Sequence, residues 1–303
     1  MKTIRINDFN KILKLEELSV TIGAFDGIHL GHQELIKRCK ESKLKSAVIT
    51  FDPDPDSVFK KLDYYPVLMP IDKKEEIIKS FGIDYFIIFE FNLEFSKLSK
   101  DKFIDVLKAL NVKEIVLGYD FRFGYKAEGS IKDLKVYFNV VEIEKILIDS
   151  IRVSSTYIKE LLKDGNISLA NSLLGRNYSI KGVTFIGSQK GMSIGFPTAN
   201  INYKNYFLPK NGVYLVKVIL DNKEYYGMAN IGHNPTFNFQ NKLRLEVNIF
   251  GISGILYNKT MEVFFIKHIR DEIKFSNINE LKNQLNCDKN KCLELIKNNW
   301  IIM

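Results

Sequence analysis

Gly23-Ala24-Phe25-Asp26-Gly27-Ile28-His29-Leu30-Gly31-His32 stands between a β-branched run at 19–22 and an amphipathic segment at 32–40. A glycine-rich turn that ends a strand and opens a helix brings backbone close to a ligand. It also aims unpaired N–H groups at that ligand, an arrangement suited to phosphate. Two of the chain's four histidines lie in this one H-x-G-H element. Imidazole donors so placed can hold phosphate oxygens where negative charge gathers during attack at phosphorus. Read in isolation, the same residues describe an ordinary turn, or a metal pair with Asp26 as third ligand, although no Cys or H-E-x-x-H companion is nearby.

Beyond this turn, short β-branched or aromatic runs alternate with segments of helical period. The spacing predicts strands at 19–22, 47–51, 85–89, 114–117 and 140–143, and helices at about 32–40, 73–81, 100–110 and 131–138, the third capped by Ser99. Such alternation predicts the α/β class: a doubly wound parallel sheet with ligands beyond the carboxyl ends of its strands. Ile158, Leu161, Leu162 and Leu169 are spaced for one buried helical face over 154–174, broken at Asp164-Gly165-Asn166. Runs at 178–186, 212–220, 224–231, 243–250 and 261–269 then follow without helices between them, which predicts an antiparallel β-barrel. Asn277 with Glu280 three residues on marks the start of a terminal helix. The expected domains are 1–176 and 177–303.

The 303 residues, 46% hydrophobic and 26% charged, have room for two cores and are too apolar for general disorder. A net charge of +8 favours anionic ligands. The positive charge is spread along the chain instead of forming a basic run interleaved with aromatics, so a nucleic-acid-binding protein is the weaker reading and no nucleic-acid partner is expected. Cys39, Cys287 and Cys292 show no C-x-x-C spacing, which supports neither a disulfide framework nor a zinc knuckle and fits a reducing cytoplasm. Residues 1–18 lack the apolar core of a signal peptide, and no run approaches the roughly 20 apolar residues of a membrane span, so no membrane partner is expected. The expected state is a monomer or weak homo-oligomer acting on small molecules.

Arg152-Val153-Ser154-Ser155-Thr156-Tyr157-Ile158-Lys159 offers hydroxyls and cations at a helix start; alone it reads as a good N-cap. With the H-x-G-H turn it resembles the nucleotidylyltransferase superfamily. The turn, Thr50-Phe51-Asp52-Pro53 and Gly118-Tyr119-Asp120-Phe121-Arg122-Phe123-Gly124, in that order, resemble the adenylyltransferase half of the bacterial bifunctional riboflavin kinase/FAD synthetase family. In that family this half moves AMP from ATP to the phosphate of FMN. The resemblance implies catalytic roles for His29 and His32. It also implies nucleotide or flavin contacts at Gly23, Phe25, Asp26, Gly31, Asp120, Phe123, Arg152, Ser155, Thr156 and Lys159. Asp54 stands where the family commonly has His, and Lys159 where it has Arg.

Downstream, Gly187, Gly191 and Gly195 recur every fourth residue before Phe196-Pro197-Thr198-Ala199-Asn200. Thr198 and Asn200 can present hard oxygens to Mg²⁺ carried by nucleotide phosphates, and a plain loop is the other reading. Leu243-Arg244-Leu245-Glu246-Val247-Asn248-Ile249 alternates cleanly, placing Arg244, Glu246 and Asn248 on one face. A carboxylate on a rigid strand can take a proton from an attacking alcohol. Together with Met228-Ala229-Asn230-Ile231-Gly232-His233-Asn234-Pro235-Thr236-Phe237, these segments resemble the riboflavin kinase family, so the resemblance spans almost the whole chain. It implies that Thr198 and Asn200 serve Mg-ATP, that Glu246 is the base for the 5′-hydroxyl of riboflavin, and that 187–195 form a nucleotide flap. In that flap Lys190-Gly191-Met192 stands where Arg-Gly-Arg is frequent. Asn230 and Arg270 are assigned as ligand contacts, His233 and His268 as structural. The expected substrates and products are ATP, riboflavin, FMN and FAD, with Mg²⁺. The rival enzyme reading is an adenylyltransferase for another phosphorylated acceptor with a non-catalytic barrel.

Overall fold

A computed structural model of the chain describes all residues except 10, 62–63, 187–193, 234–242, 253–255 and 299–303. It divides into two compact units, Met1–Ser155 and Thr156–Met303.

The first unit is built on a parallel sheet of β1 (Lys2–Ile6), β2 (Leu18–Ile22), β3 (Lys45–Asp52), β4 (Tyr85–Glu90), β5 (Val112–Gly118) and β8 (Asn139–Ile143), in the order β1-β4-β3-β2-β5-β8. All five residues of β2 are buried, as a strand covered on both faces must be. Helices α1 (Leu30–Lys40) and α3 (Ile71–Ser80) bring Ile36 and Ile78 to one face, where they meet Val48, Phe86 and Ile88. Helices α4 (Lys100–Ala109) and α5 (Ile131–Lys135) bring Phe103, Leu107 and Leu134 to the other, against Val20, Ile49 and Ile115. Ser99 caps α4, accepting from the Lys102 N–H. The short helix α2 (Pro55–Phe59) and the hairpin β6 (Arg122–Phe123) with β7 (Gly129–Ser130) complete this end of the sheet. A second small hairpin, β9 (Leu147–Ile148) with β10 (Ile151–Arg152), follows β8. Because β3 and β4 succeed β2 on one side while β5 and β8 lie on the other, the strand order reverses at β2. The turn leaving β2 therefore occupies the crevice where open α/β sheets bind ligands.

Helix α6 (Ser155–Asp164) begins on the last residue of the first unit and otherwise lies in the second, where it and α7 (Ile167–Leu174) precede a closed antiparallel barrel. Its strands are β11 (Ser179–Phe185), β12 (Ala199–Asn202), β13 (Gly212–Leu220), β14 (Lys223–His233), β15 (Leu243–Ile249) and β16 (Thr260–Arg270), ordered β11-β12-β15-β14-β13-β16. Tyr178, Tyr214 and Phe265 pack together, with the Tyr214 and Phe265 rings edge to face at 5.3 Å. The terminal helix α8 (Ile278–Lys297) buries Cys292 against Phe196, Val213, Leu215, Met228 and Ile269. Its start is the expected one: Asn277 Oδ1 accepts from the Glu280 N–H, while Glu280 reaches back to the Ser276 N–H. The expected fold class, a doubly wound parallel sheet followed by an antiparallel barrel and a terminal helix, is the one observed.

Candidate active sites

The turn after β2 is held in an unusual conformation by packing and hydrogen bonds on every side. Phe25 and Ile28 have φ of +49° and +40°, and Gly27 has +83°. A bulky aromatic and a β-branched residue in the left-handed region are costly and persist only where surroundings over-determine them. Both side chains are fully buried. The Ala24 carbonyl accepts from Thr50 Oγ1 (3.2 Å) and Lys74 Nζ (2.7 Å), and the Asp26 carbonyl from Ser155 Oγ (2.7 Å). Asp26 Oδ1 accepts from the Met69 N–H, and Gln33 donates to the Ile28 carbonyl. Backbone strain held this firmly clusters at functional sites, which makes this turn a candidate one.

His29 is the N-cap of α1, its Nδ1 accepting from the His32 N–H at 3.3 Å. The two imidazoles stack with centroids 3.6 Å apart and planes 15° apart, and the Phe25 ring meets His32 edge-on at 5.1 Å. Gly31 completes the arrangement, since a Cβ there would stand 3.2 Å from the His29 ring. Gly23 sits beside the Phe25 ring.

The other expected residues of the first site fall into separate settings. Asp120 and Arg152 form an exposed ion pair at 2.5 Å, with the guanidinium over the Tyr119 ring. Phe123 is buried, its ring 5.3 Å from Phe103 in the phenylalanine core beneath the sheet. The glycine after it is obligatory: Gly124 has φ +75°, and a Cβ would lie 2.9 Å from the Lys100 backbone nitrogen. Asp54 is the N-cap of α2, accepting from the Asp56 N–H. Thr156 and Lys159 lie on α6, which groups with the second unit.

In the barrel, strand register gathers distant residues into one row. Asn200 on β12 pairs with Glu246 on β15, which pairs on its other side with Asn230 on β14. Directly paired residues of antiparallel strands share a face, so the carboxylate has an amide on each side. Leu245 and Val247 point the other way and are buried. Burial raises the Glu246 carboxyl above its ordinary value, with Arg244 opposing the shift. Asn200 is itself buried, and its Oδ1 has no hydrogen-bond partner among the described residues. Thr198 is half-buried two residues before it, and Gly195 is exposed with φ +86°. Gly187 and Gly191 lie outside the described residues.

Arg270 ends β16 and donates through Nε and Nη2 to Asp288 of α8, and through Nη1 to the Asp271 carbonyl. His268 packs against Tyr214, its charged form disfavoured by burial, and His233 approaches Asn211. The sequence reading quoted Thr50 within a motif without giving it a role, and passed over Lys74; both side chains donate to the Ala24 carbonyl of the turn. Lys74 is 3% exposed; nothing local in the sequence distinguishes it from a surface lysine.

The architecture is that of a nucleotidylyltransferase-type sheet followed by a riboflavin-kinase-type barrel. The FAD synthetase family matches residues 11–157 and the riboflavin kinase family residues 174–296. The chain belongs to the bifunctional riboflavin kinase/FMN adenylyltransferase family. It is 36% identical to the member from Bacillus subtilis (strain 168), covering 98% of this chain and 99% of that one. With the member from Buchnera aphidicola subsp. Schizaphis graminum the identity is 39%, covering 98% of each. A solved structure described as a macrolide-efflux protein from Streptococcus pneumoniae is 32% identical and superposes with a TM-score of 0.87 over 98% of this chain and 99% of that one. Among the described residues, no helix is long and apolar enough to cross a membrane.

Proposed function

We infer that the chain is a bifunctional flavin-cofactor enzyme. The barrel phosphorylates riboflavin with ATP to give FMN, and the parallel-sheet domain transfers AMP from ATP to FMN, giving FAD and pyrophosphate. The observation that carries this reading is the match of each half to a different family, one for each step. The division of labour follows 1–176 and 177–303, with the Ser-Ser-Thr motif assigning α6 to the first activity although it groups with the second unit.

In the barrel, Glu246 takes the proton of the riboflavin 5′-hydroxyl as its oxygen attacks the γ-phosphorus and ADP leaves. The raised affinity of this carboxyl for protons suits a base working near neutral pH. Asn200 and Asn230 flank the base in register and orient the alcohol. The buried Asn200 Oδ1 and the Thr198 hydroxyl are hard-oxygen donors that fit Mg²⁺. When bound, the ion neutralises phosphate charge. In the first domain, a phosphate oxygen of FMN attacks the α-phosphorus of ATP and pyrophosphate leaves. His29 and His32 donate to the phosphate oxygens, and the N–H groups opening α1 face the same charge. Gly23, Asp26 and Gly31 shape this turn. Neither step needs a covalent enzyme intermediate; positioning and charge neutralisation suffice. The protein works on small molecules in the cytoplasm.

Incubation with riboflavin and Mg-ATP, followed by separation of riboflavin, FMN and FAD, tests the reading. Sequential appearance of FMN and FAD is expected. Unchanged riboflavin would overturn the kinase assignment, and FMN without FAD the adenylylation assignment.

A further inference from the structure

We propose that Lys74 is a positioning residue for adenylyl transfer, acting with Thr50 by gripping the Ala24 carbonyl. This rests on adenylyl transfer being the reaction of the first unit. Lysine is among the side chains least often buried, because taking an ammonium from water is costly. Here the lysine is 3% exposed, and its Nζ lies 2.7 Å from the Ala24 oxygen. Thr50, fully buried at the carboxyl end of β3, donates to the same oxygen. Two side-chain donors from different elements thus converge on one backbone acceptor.

The position of that acceptor gives the grip its consequence. Ala24 immediately precedes Phe25, the first residue of the turn to enter the left-handed region. With the Ala24 carbonyl turned inward, the Phe25 ring is delivered to the core, where it shares a cluster with Ile78, one helical turn beyond Lys74 on α3. The same ring lies edge-on to His32, which stacks on His29. α3 therefore holds the turn twice, by a polar contact at Lys74 and an apolar one at Ile78, and the histidine pair inherits its place from both. Lys74 touches none of the reacting atoms in this account; it sets where the donors stand.

The test measures FAD formation from FMN and ATP, with riboflavin phosphorylation as an internal control, in Lys74→Met, Lys74→Arg and Thr50→Val. Misplacing donors by about an ångström costs on the order of 10²-fold. Accordingly, kcat for FAD formation at saturating substrates should fall about 10- to 100-fold in Lys74→Met. Riboflavin phosphorylation and the melting transition should hold. Lys74→Arg, which keeps charge and donors, should recover most of the loss, and Thr50→Val should show a smaller loss in the same direction. A folded Lys74→Met with kcat within about twofold of the parent, or one affected only in KM for ATP, would overturn the proposal. Should Lys74→Met not fold, a folded Thr50→Val with full activity would do the same. Parent protein run alongside separates the two readings: FAD from the parent with normal turnover in Lys74→Met contradicts the grip alone, whereas no FAD from the parent contradicts both.

Discussion

His29 and His32 lie face to face, their ring centroids 3.6 Å apart, with His29 Nδ1 accepting from the His32 backbone N–H. That bond ties the His29 ring to the first turn of α1, so the two imidazoles are placed by the same stretch of backbone. Each of His29→Ala and His32→Ala is expected to lower FMN adenylylation by roughly 10²-fold, the scale of losing one donor to developing charge. Riboflavin phosphorylation should continue. Normal FAD formation in both variants would remove the pair from the chemistry.

The second expectation concerns pH. A base must be deprotonated to act, and burial lifts the Glu246 carboxyl above the ordinary 4.5. The kinase should therefore lose kcat/KM on acidification with a midpoint above that value. Arg244 opposes the lift, so Arg244→Gln should move the midpoint further upward. An acidic limb at or below the ordinary carboxylate range, unmoved by Arg244→Gln, would contradict the base role.

Arg270 and Asp288 form a pair whose side chains are 16% and 3% exposed, joining β16 to α8. Removing one partner of a buried pair leaves the other charge uncompensated and costs about 3–5 kcal/mol. Arg270→Met should lower the stability of the second unit by about that amount in denaturant titration. A chemical probe is available nearby. Cys292 is buried on the inner face of α8 with its thiol pushed up to about 12, Cys39 is buried with its thiol at about 11, and Cys287 is exposed. Native parent protein should react with one equivalent of a thiol reagent at Cys287, and Arg270→Met should open Cys292 as well. Unchanged stability and labelling would show that the pair does not clamp the helix.

The elements most legible in the sequence were those whose burial pattern is regular. β2, with five buried residues, and β15, with its alternation, were expected within a residue of their observed ends. β1 escaped because it is an edge strand carrying Lys2 and Arg5, with most of its residues exposed. β12 escaped for another reason: Ala199 and Ile201 turn inward around Asn200, but four residues are too few to show a period. α2 was hidden by Pro53 and Pro55, although Pro55 behind an Asp54 cap is a favourable helix start. α5 stops at Lys135, three residues before the expected 138. In the site, local motifs pointed to the histidine turn and the glutamate strand. They did not reveal that Phe123 belongs to the core or that Lys74 reaches Ala24, because those facts depend on contacts between residues far apart in the chain.

The central claim is that two reactions run at two separate sites, and Glu246→Gln tests it most directly. The substitution keeps the size of the side chain on β15 and removes its capacity to take a proton. Conversion of riboflavin to FMN should fall by about 10² to 10⁴. When FMN is supplied instead, the same folded protein should make FAD at close to the parent rate. Normal riboflavin phosphorylation, or loss of FAD formation from supplied FMN, would contradict the account.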